Sequence, residues 1–343
     1  MDNLTELNEA FSTKSLPNTV VIVILLIVGI LGNSLVIYVY EFRFPRSDGR
    51  CYIGPLAVSD LGTLISTSAL NLLKNLMKFI FPGPIVCKCL YFLSYAFINI
   101  SLFLWTVIAV QRYRKICKPF KWQMKRDWRK WCILILAGFS FAFFSPTLYF
   151  YGINEKVITE YNITVFVCEQ TTTNVKGLLV YQGIGLIMSL LNVVAIIAIY
   201  IVVFIKIYKT MKGVRGEKNE STTSGTLPVS TISNFENPTH ELSRNQHANA
   251  SSSGRTEAQK LEHTIAFTFM TILLLGLISY VPSRSLVVYE SIDLKFWENL
   301  NYSTFNLHLF LRRSYVVVHS CNVFIYLIFD SLFRKEIKSW IEG

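Results

Sequence analysis

Long apolar runs separated by short charged segments are the main pattern in this sequence. Five of these runs contain no Asp, Glu, Lys, Arg or His, and they cover residues 15–40, 89–111, 132–154, 177–205 and 264–283. A helix of about 20 apolar residues crosses a hydrocarbon core about 30 Å thick. The pattern therefore predicts a membrane-spanning helix in each run.

Two further runs have a similar length but carry ionisable side chains. Residues 51–73 are interrupted by Asp60, and residues 304–329 are interrupted by Arg312, Arg313 and two histidines. A charged group at this depth costs about 2.5 to 3.5 kcal/mol, so it usually faces the interior of a helix bundle and serves function. With these two runs included, the sequence predicts an all-α membrane protein with a seven-transmembrane helix bundle.

The charges between the runs indicate the orientation of the chain. Residues 112–130 carry nine Lys and Arg side chains against the single Asp127, whereas the loops on the opposite side lean acidic. Basic loops of membrane proteins stay in the cytosol. This distribution predicts an extracellular N-terminus.

The apolar runs divide the chain into three parts. Residues 1–17 form a polar extracellular tail with no evident cleavable signal, and residues 18–329 form the transmembrane domain. Within that domain, residues 213–259 are rich in Ser, Thr, Asn and Gly, which predicts a disordered cytosolic loop. Residues 330–343 place apolar and basic side chains at helical spacing, which predicts an amphipathic helix on the inner membrane surface.

The composition agrees with a protein whose solvent is the lipid bilayer. Of the 343 residues, 52% are hydrophobic, and the mean hydropathy is +0.42. The net charge of +11 is explained by the basic cytosolic loops and their attraction to the membrane surface. The charge therefore does not indicate nucleic-acid binding.

Three of the seven cysteines lie near the predicted oxidising side of the membrane. Cys87 and Cys89 are at the top of the third predicted helix, and Cys168 is in the second outer loop. We expect a single disulfide between the top of this helix and the second outer loop. The same side carries three glycosylation sequons, at Asn3, Asn162 and Asn301.

Small polar side chains interrupt four of the apolar runs. They are Asn33, Asp60, Ser101 and Asn322. Polar groups surrounded by hydrocarbon find partners among themselves. We therefore expect these side chains to form a hydrogen-bonded cluster inside the bundle.

Short motifs in this order resemble those of class A, rhodopsin-like G-protein-coupled receptors, over nearly the whole chain. The motifs are the GN pair ending at Asn33, LAVSD ending at Asp60, Arg112–Tyr113, Pro282, and Asn322 with Tyr326. The chain departs from the family pattern at Gln111, Tyr280 and Val323, where an acid, a tryptophan and a proline would stand. The resemblance implies a plasma-membrane receptor that activates a heterotrimeric G protein and binds an arrestin, with outward movement of the sixth helix.

The resemblance also assigns roles to individual residues. It implies that Cys87 is the cysteine that pairs with Cys168, and that Arg112 contacts Glu262 in the resting state. Gln111 offers this arginine a hydrogen bond but no charge. The remaining switch positions by resemblance are Tyr113, Pro282, Asn322 and Tyr326.

Three residues match the family's internal sodium site: Asp60, Ser101 and Asn322. A carboxylate with hydroxyl and amide oxygens suits a hard cation. The alternative is a protonated Asp60 within a polar cluster, since burial disfavours the charged carboxylate. Apart from this allosteric sodium ion, no cofactor is expected.

Basic residues near the outer ends of the spans predict a cationic extracellular cavity. Arg284 and Arg312, with Lys74 and Lys78, would receive an anionic group, because guanidinium groups bind carboxylates in two-pronged fashion. The alternative is internal pairing with Glu290 or another outer-loop acid. Tyr280, which shares a helix face with Arg284, and Ser94 complete the candidate ligand site.

Absent residues narrow the ligand class. The third span, 86–110, has no acid to bind an amine, and the run 304–329 has no lysine to bind retinal. Strand-like residues within 151–176 predict a hairpin lid held by Cys168. This lid suits a peptide with an acidic group, and the alternative ligand is a small carboxylate or a lipid acid.

Two other classes of membrane protein compete with a receptor. A transporter would need polar residues that continue across the membrane, whereas here an inner cluster and an outer set are separate. An enzyme is disfavoured because the five histidines show no metal-ligand spacing with acids or cysteines.

Overall fold

The structure is a computed structural model that describes residues 2–44, 50–121, 125–158, 163–171, 174–223, 239–292, 296–297 and 300–342, with the backbone alone at 2, 126, 211, 213–223, 239–262, 291–292 and 341. Its elements in chain order are α1 (Asp2–Lys14), α2 (Leu16–Ile37) with a π-helical turn (Tyr38–Arg43), α3 (Ile53–Leu76), α4 (Pro84–Cys117), α5 (Arg126–Phe144), α6 (Thr147–Phe150), β1 (Tyr151–Ile158), β2 (Ile163–Gln170), α7 (Val175–Thr223), α8 (Thr239–Ile292), α9 (Tyr302–Arg312), α10 (Tyr315–Phe329) and α11 (Ser331–Glu342).

The helices agree with a seven-helix membrane bundle. Six helical segments within the described residues are long and apolar enough to cross a membrane: α2 with its π-helical turn, α3, α4, α5 with α6, α7 and α8. A seventh passes the same test only when α10 is taken together with α11, and these two helices are bent by 93°. The mainly helical, multi-span prediction is therefore confirmed.

The last predicted span is not one continuous helix. Helix α9 ends at Arg312 and α10 begins at Tyr315. Between them, the amide N–H of Arg313 donates to the Phe310 carbonyl at 3.0 Å, and that of Val316 donates to the Arg313 carbonyl at 3.1 Å. These i to i+3 bonds tighten the chain into a 3₁₀-like turn. The run 304–329 is therefore divided into two helices, with Arg312 at the end of α9 and Tyr326 in α10.

The turn is held from outside by the neighbouring helix α8. The Ser314 hydroxyl donates to the Ser279 carbonyl, and the Ser283 hydroxyl donates to the Arg312 carbonyl at 2.6 Å. Pro282 lies between these two α8 serines and lacks the N–H that would bond within its own helix. The part of α8 around Pro282 and the turn therefore hold each other through two hydroxyl-to-carbonyl hydrogen bonds.

Two other predicted boundaries differ from the structure. Residues 151–154, expected in the fourth span, belong to strand β1, because they pair with β2. The described backbone of 213–223 and 239–259 is helical, as continuations of α7 and α8, where a disordered loop was expected. A helical backbone satisfies its own hydrogen bonds whatever its side chains, and no proline interrupts either stretch.

Helices α3 and α4 lie at the centre of the bundle. The most apolar window of α3 is 61% buried and that of α4 is 56% buried, against 11% for α5 with α6 and 17% for α7. The exposed side chains of α5 and α7 are mostly large and apolar, which suits contact with lipid. Polar side chains on α3 and α4 therefore meet inside the protein.

Helix α2 packs closely against α10 at a glycine. A Cβ atom added at Gly32 would lie 2.6 Å from Cγ1 of Val323, whereas one added at Gly138 in α5 would meet nothing within 4 Å. We expect Gly32→Ala to lower the free energy of unfolding by about 1 to 3 kcal/mol through overpacking. Gly138→Ala is the matched control and should leave stability unchanged or slightly raised. Thermal unfolding of the purified variants measures both, and equal midpoints would contradict the close packing.

Helix α11 turns away from the bundle at Asp330. Oδ1 of Asp330 accepts the backbone N–H groups of Leu332 and Phe333 at 3.0 and 3.2 Å. Oδ2 accepts the Tyr40 hydroxyl at 2.8 Å and lies 3.2 Å from Nε of Arg50. Asp330 therefore caps α11 and ties its start to the inner end of α2.

Candidate functional site

A disulfide joins the start of α4 to the β-hairpin. Cys87 is bonded to Cys168, which lies opposite Ile153 in the antiparallel register of β1 and β2. Cys89 is a free, exposed cysteine. The expectations of a hairpin in the second outer loop and of a disulfide to Cys168 are confirmed, and Cys87 is the partner. The hairpin is thus fixed over the end of the bundle at which α4 begins.

Beneath this end lies a cavity of about 110 Å³ with a cationic lining. Four basic side chains line it, from three different helices and the turn after α9: Lys74, Arg284, Arg312 and Arg313. Ser94 also lines it, and its buried hydroxyl has no hydrogen-bond partner among the described residues. The sequence-predicted Lys74, Ser94, Arg284 and Arg312 are therefore brought together, and Arg313 joins them.

The basic side chains around this cavity are partnered to different degrees. Arg312 forms an ion pair with Glu290 at 2.7 Å, so the internal pairing that the sequence allowed is present. The Lys74 ammonium donates to the Tyr91 hydroxyl at 2.7 Å. The Arg284 guanidinium forms no ion pair or hydrogen bond with any residue that the structure describes. The cavity therefore holds an excess of positive charge.

Arg313 is half-buried, and its hydrogen-bond partners are neutral. Its Nη1 donates to Oδ1 of Asn75 at 2.8 Å and to Oδ1 of Asn18. Nδ2 of Asn75 in turn donates to Oδ1 of Asn18 at 3.2 Å and to the Thr19 hydroxyl at 2.9 Å. This network links α2, α3 and the turn before α10. Arg313 therefore has a structural role in addition to its place on the cavity wall.

A second cavity of about 240 Å³ adjoins the first. Its walls are mainly apolar and aromatic, and they include Phe144, Tyr151 and Tyr181. The Tyr151 hydroxyl lies 3.0 Å from the Tyr95 hydroxyl and accepts Nε2 of Gln182 at 3.1 Å. Tyr95 and Arg284 line both cavities. A ligand that filled both cavities would need an anionic group in the first cavity and an aromatic or aliphatic group in the second, with Arg284 between them.

Two predicted ligand residues lie elsewhere. Lys78 does not line either cavity, and its ammonium sits 3.9 Å from the centre of the Phe11 ring on α1. Burial and the positive charge of Lys74 lower the pKa of Lys78 to about 8. Tyr280 lies below the cavities, where its hydroxyl is 2.8 Å from Nε2 of His319. Lys78 thus belongs to the packing of the N-terminal helix, and Tyr280 belongs to the core.

The expected polar cluster is present around Asp60. The Ser101 hydroxyl donates to Oδ1 of Asp60 at 2.8 Å, and Nδ2 of Asn322 donates to Oδ2. Nδ1 of His319 lies 2.6 Å from Oδ1. Asn33 joins from α2, since its Nδ2 donates to the His319 carbonyl at 2.9 Å. Three helices, α3, α4 and α10, therefore meet at one fully buried carboxyl group, and α2 joins them through the backbone of His319.

Aromatic rings enclose this cluster on its outer side. The Trp105 ring stacks on the His319 ring with centroids 6.4 Å apart and planes 21° apart. It also meets the Tyr280 ring edge to face, at 6.2 Å. A Cβ atom at Gly276 would lie 2.8 Å from the Trp105 ring, so α8 packs directly on this tryptophan. The cluster is thereby separated from the cavities above it.

At the inner end of α4, Arg112 is fully buried. Its Nη2 donates to Oε1 of Gln111 at 3.0 Å, and Nε2 of Gln111 lies 3.4 Å from the Cys51 sulfur. Gln111 thus offers the hydrogen bond expected from the sequence. The Glu262 side chain lies outside the described residues, so the Arg112–Glu262 contact stays a prediction.

The other switch positions line the inner half of the bundle. Tyr326 packs its ring 5.5 Å from that of Tyr40 and 6.2 Å from that of Phe333. The Tyr113 ring lies 5.2 Å from the Lys118 ammonium. Tyr326 therefore lies between the π-helical turn after α2 and α11, and Tyr113 packs against buried side chains of α7 and α8.

Sequence reasoning missed three residues of these sites. Arg313 was expected only as a charge within the run 304–329, and only its neighbour Arg312 was assigned to the cationic cavity. His319 appeared only as one of two histidines in the run 304–329, and nothing in the sequence indicated that Asp60 is its partner. Trp105 carried no signal beyond its hydrophobicity. The 3₁₀-like turn decides the first position, and long-range contacts decide the others.

Comparisons with known proteins agree with this arrangement. A sequence profile of the family described as 7 transmembrane receptor (rhodopsin family) matches residues 32–326. The chain is 30% identical over 164 residues to the thyrotropin-releasing hormone receptor of Gallus gallus, which covers 47% of this chain and 42% of the relative. It is 27% identical over 176 residues to the thyrotropin-releasing hormone receptor of Mus musculus. This aligned region covers 49% of this chain and 45% of the relative.

The chain is also similar to a cholecystokinin receptor. The chain is 32% identical over 119 residues to the cholecystokinin receptor type A of Homo sapiens, which covers 32% of this chain and 28% of the relative. In each of these matches, the chain spans less than half the length of the curated relative.

Proposed function

The chain belongs to the rhodopsin family of seven-transmembrane receptors, and from this premise we propose that it binds an extracellular peptide with an acidic group and activates a heterotrimeric G protein. It is a multi-pass membrane receptor rather than an enzyme. The relatives named above are receptors for thyrotropin-releasing hormone and cholecystokinin, which supports a peptide as the ligand class.

The proposal that the ligand has an acidic group rests on Arg284, which is unpaired among the described residues. Its guanidinium lies where the two cavities join, without an acid among the described residues. Like charges in a partly desolvated space repel one another, so an incoming carboxylate is favoured by every cation around it. A guanidinium can bind such a carboxylate through two parallel hydrogen bonds. The apolar cavity beside Arg284 would take the neighbouring part of the peptide.

The proposed orientation places the hairpin and the cationic cavity outside the cell, at the plasma membrane. The basic segment 112–130 then faces the cytosol, in agreement with the positive-inside rule. Asn3 and Asn301 are exposed on the outer side and are proposed glycosylation sites. The third sequon, at Asn162, lies outside the described residues. Helix α11 would lie on the inner membrane surface, with Phe333 buried against the bundle and Trp340 exposed to lipid.

The proposed mechanism transmits binding through α8. Arg284 lies two residues beyond Pro282, where the missing backbone hydrogen bond allows the helix to bend. A ligand that binds one bend angle more tightly stabilises that state. Outward movement of the inner half of α8 would then uncover the region of Arg112 for the G protein, and subsequently for an arrestin.

A peptide screen tests this function. Cells expressing the chain would be exposed to peptides in paired forms, with a free carboxylate and with a neutral amide, and calcium and cyclic-nucleotide levels would be measured. We expect responses to acidic forms only. Responses to neutral forms would contradict the acidic-group proposal, and responses to small carboxylates alone would contradict the peptide. Substrate uptake or ion current without any G-protein response would indicate a transporter instead.

Arg284→Gln is expected to raise the half-maximal concentration of the acidic ligand about 10- to 100-fold. The reason is the loss of a charge-assisted hydrogen-bond pair, which contributes about 1.5 to 3 kcal/mol. Arg313→Gln is a poorer test, because Arg313 also holds the asparagine network. Lys78→Gln is the matched control and should leave potency unchanged, since Lys78 lies outside both cavities. Dose–response curves at equal surface expression give the comparison, and equal potency for Arg284→Gln would contradict the proposed contact.

A further inference from the structure

The buried carboxyl of Asp60 is surrounded by hydrogen-bond donors. Its two oxygens accept the Ser101 hydroxyl, Nδ2 of Asn322 and Nδ1 of His319. Two of these three donors are N–H groups. His319 and Asp60 are both completely shielded from solvent, and their nearest nitrogen and oxygen atoms are 2.6 Å apart. The histidine therefore occupies the face of the carboxyl group that lies towards α10.

This arrangement does not fit the sodium ion expected from the sequence. A hard cation takes oxygen ligands, and the hydrogen of an N–H group repels it. Asn322 turns its nitrogen to the carboxyl group, and its Oδ1 is buried without a hydrogen-bond partner among the described residues. The Ser101 hydroxyl is shared between Asp60 and the Ser59 hydroxyl, each at 2.8 Å. The residues around Asp60 thus offer hydrogens where a cation needs oxygen lone pairs.

We propose that the imidazole of His319 replaces the sodium ion as the partner of Asp60, and that it fastens this carboxyl group to Tyr280 on α8. With a hydrogen on Nδ1, the ring donates to Asp60, and its Nε2 accepts the Tyr280 hydroxyl at 2.8 Å. A diffusible ion is thereby exchanged for a covalently attached group. The internal restraint of this receptor does not depend on the sodium concentration.

The position of Tyr280 gives the His319 contact a mechanical consequence. Tyr280 lies two residues before Pro282 and four before Arg284. The same stretch of α8 also holds the turn between α9 and α10 through Ser283. His319 therefore joins the polar core to the flexible part of α8, and bending at Pro282 strains or breaks the bond between Tyr280 and His319.

The first test uses the purified parent protein and sodium ions alone. Its thermal unfolding is measured in sodium chloride and in choline chloride at the same ionic strength, over a range of sodium concentrations. We expect equal midpoints at every concentration. A saturable rise with sodium that disappears in Asp60→Asn would overturn the proposal. No ligand or G protein is required, so this result does not depend on the function proposed above.

The second test restores an oxygen site. His319→Ser removes the ring and places a hydroxyl beside the Ser101 hydroxyl, the Asp60 carboxyl group and the free Oδ1 of Asn322. We expect this variant to be less stable in choline chloride and to gain about 3 °C in its unfolding midpoint on addition of saturating sodium. The double variant His319→Ser with Asp60→Asn should lose that gain.

A second histidine provides the matched control. His308 on α9 bonds through Nδ1 to the carbonyl of Thr304 in its own helix, at 2.7 Å. His308→Ser should show no sodium response. A sodium response in His308→Ser as large as that in His319→Ser would mean that the effect is a general one of salt, and it would overturn the proposal. If His319→Ser does not fold, the parent and Asp60→Asn measurements still decide the question.

Discussion

Replacing Asp60 by alanine is expected to lower the free energy of unfolding by about 3 to 5 kcal/mol, the cost of leaving several buried hydrogen-bond donors unsatisfied. The change leaves the donors of His319, Ser101 and Asn322 without their acceptor in a part of the protein that water does not reach. The expected loss in the thermal midpoint of the purified protein is roughly 6 to 10 °C.

Two variants of α3 calibrate this measurement. Asp60→Asn keeps one acceptor oxygen and should lose less stability than Asp60→Ala. Ser66→Ala removes a buried hydroxyl that bonds to the Gly62 carbonyl of its own helix at 2.7 Å, and it should lose less than about 1 kcal/mol. If Asp60→Ala were as stable as Ser66→Ala, the three donors would have found other partners, and Asp60 would not organise the core.

Loss of the disulfide between Cys87 and Cys168 is expected to lower stability by about 2 to 5 kcal/mol. The bond closes a loop between residues that are 81 positions apart, so its loss releases a large part of the chain in the unfolded state. It also frees the hairpin from the outer end of α4. We therefore expect Cys87→Ser to reduce both the thermal midpoint and the amount of receptor at the cell surface.

The chain provides its own control for this variant. Cys89 is two residues away, exposed and free, so Cys89→Ser should match the parent protein. Cys168→Ser should behave as Cys87→Ser does, and the double variant should lose no more than either single variant because all three lack the same bond. Additive losses in the double variant, or a loss in Cys89→Ser, would contradict the pairing.

The length of the apolar runs made most of the spans predictable from the sequence. The cost of placing a side chain in lipid depends mainly on that residue, so a run of such residues identifies a span without knowledge of its neighbours. The five uncharged runs and the run around Asp60 all contain spanning helices in the structure. The disulfide partner Cys168 and the hairpin could be predicted for similarly local reasons, from the compartment and from β-branched residues.

Positions that depend on distant partners could not be predicted in this way. The turn between α9 and α10 contains neither glycine nor proline, and its stabilising contacts come from Ser279 and Ser283 on α8. Lys78 has the same charge as Lys74, yet it packs on Phe11 of helix α1. The sequence predicted only a polar tail at residues 1–17 and not this helix. Charge alone therefore could not separate cavity residues from packing residues.

The sequence by itself determined the apolar character of the chain, six of its spanning-length helices and the presence of a polar interior, because transfer free energies are properties of individual residues. Only the tertiary structure decided that His319 rather than an ion approaches Asp60, and that Arg313 faces the cavity. His319 and Asp60 are 259 positions apart, and their contact exists only when α3 and α10 pack side by side. Hydrogen bonds depend on the distance and direction between two groups, and a linear pattern contains neither.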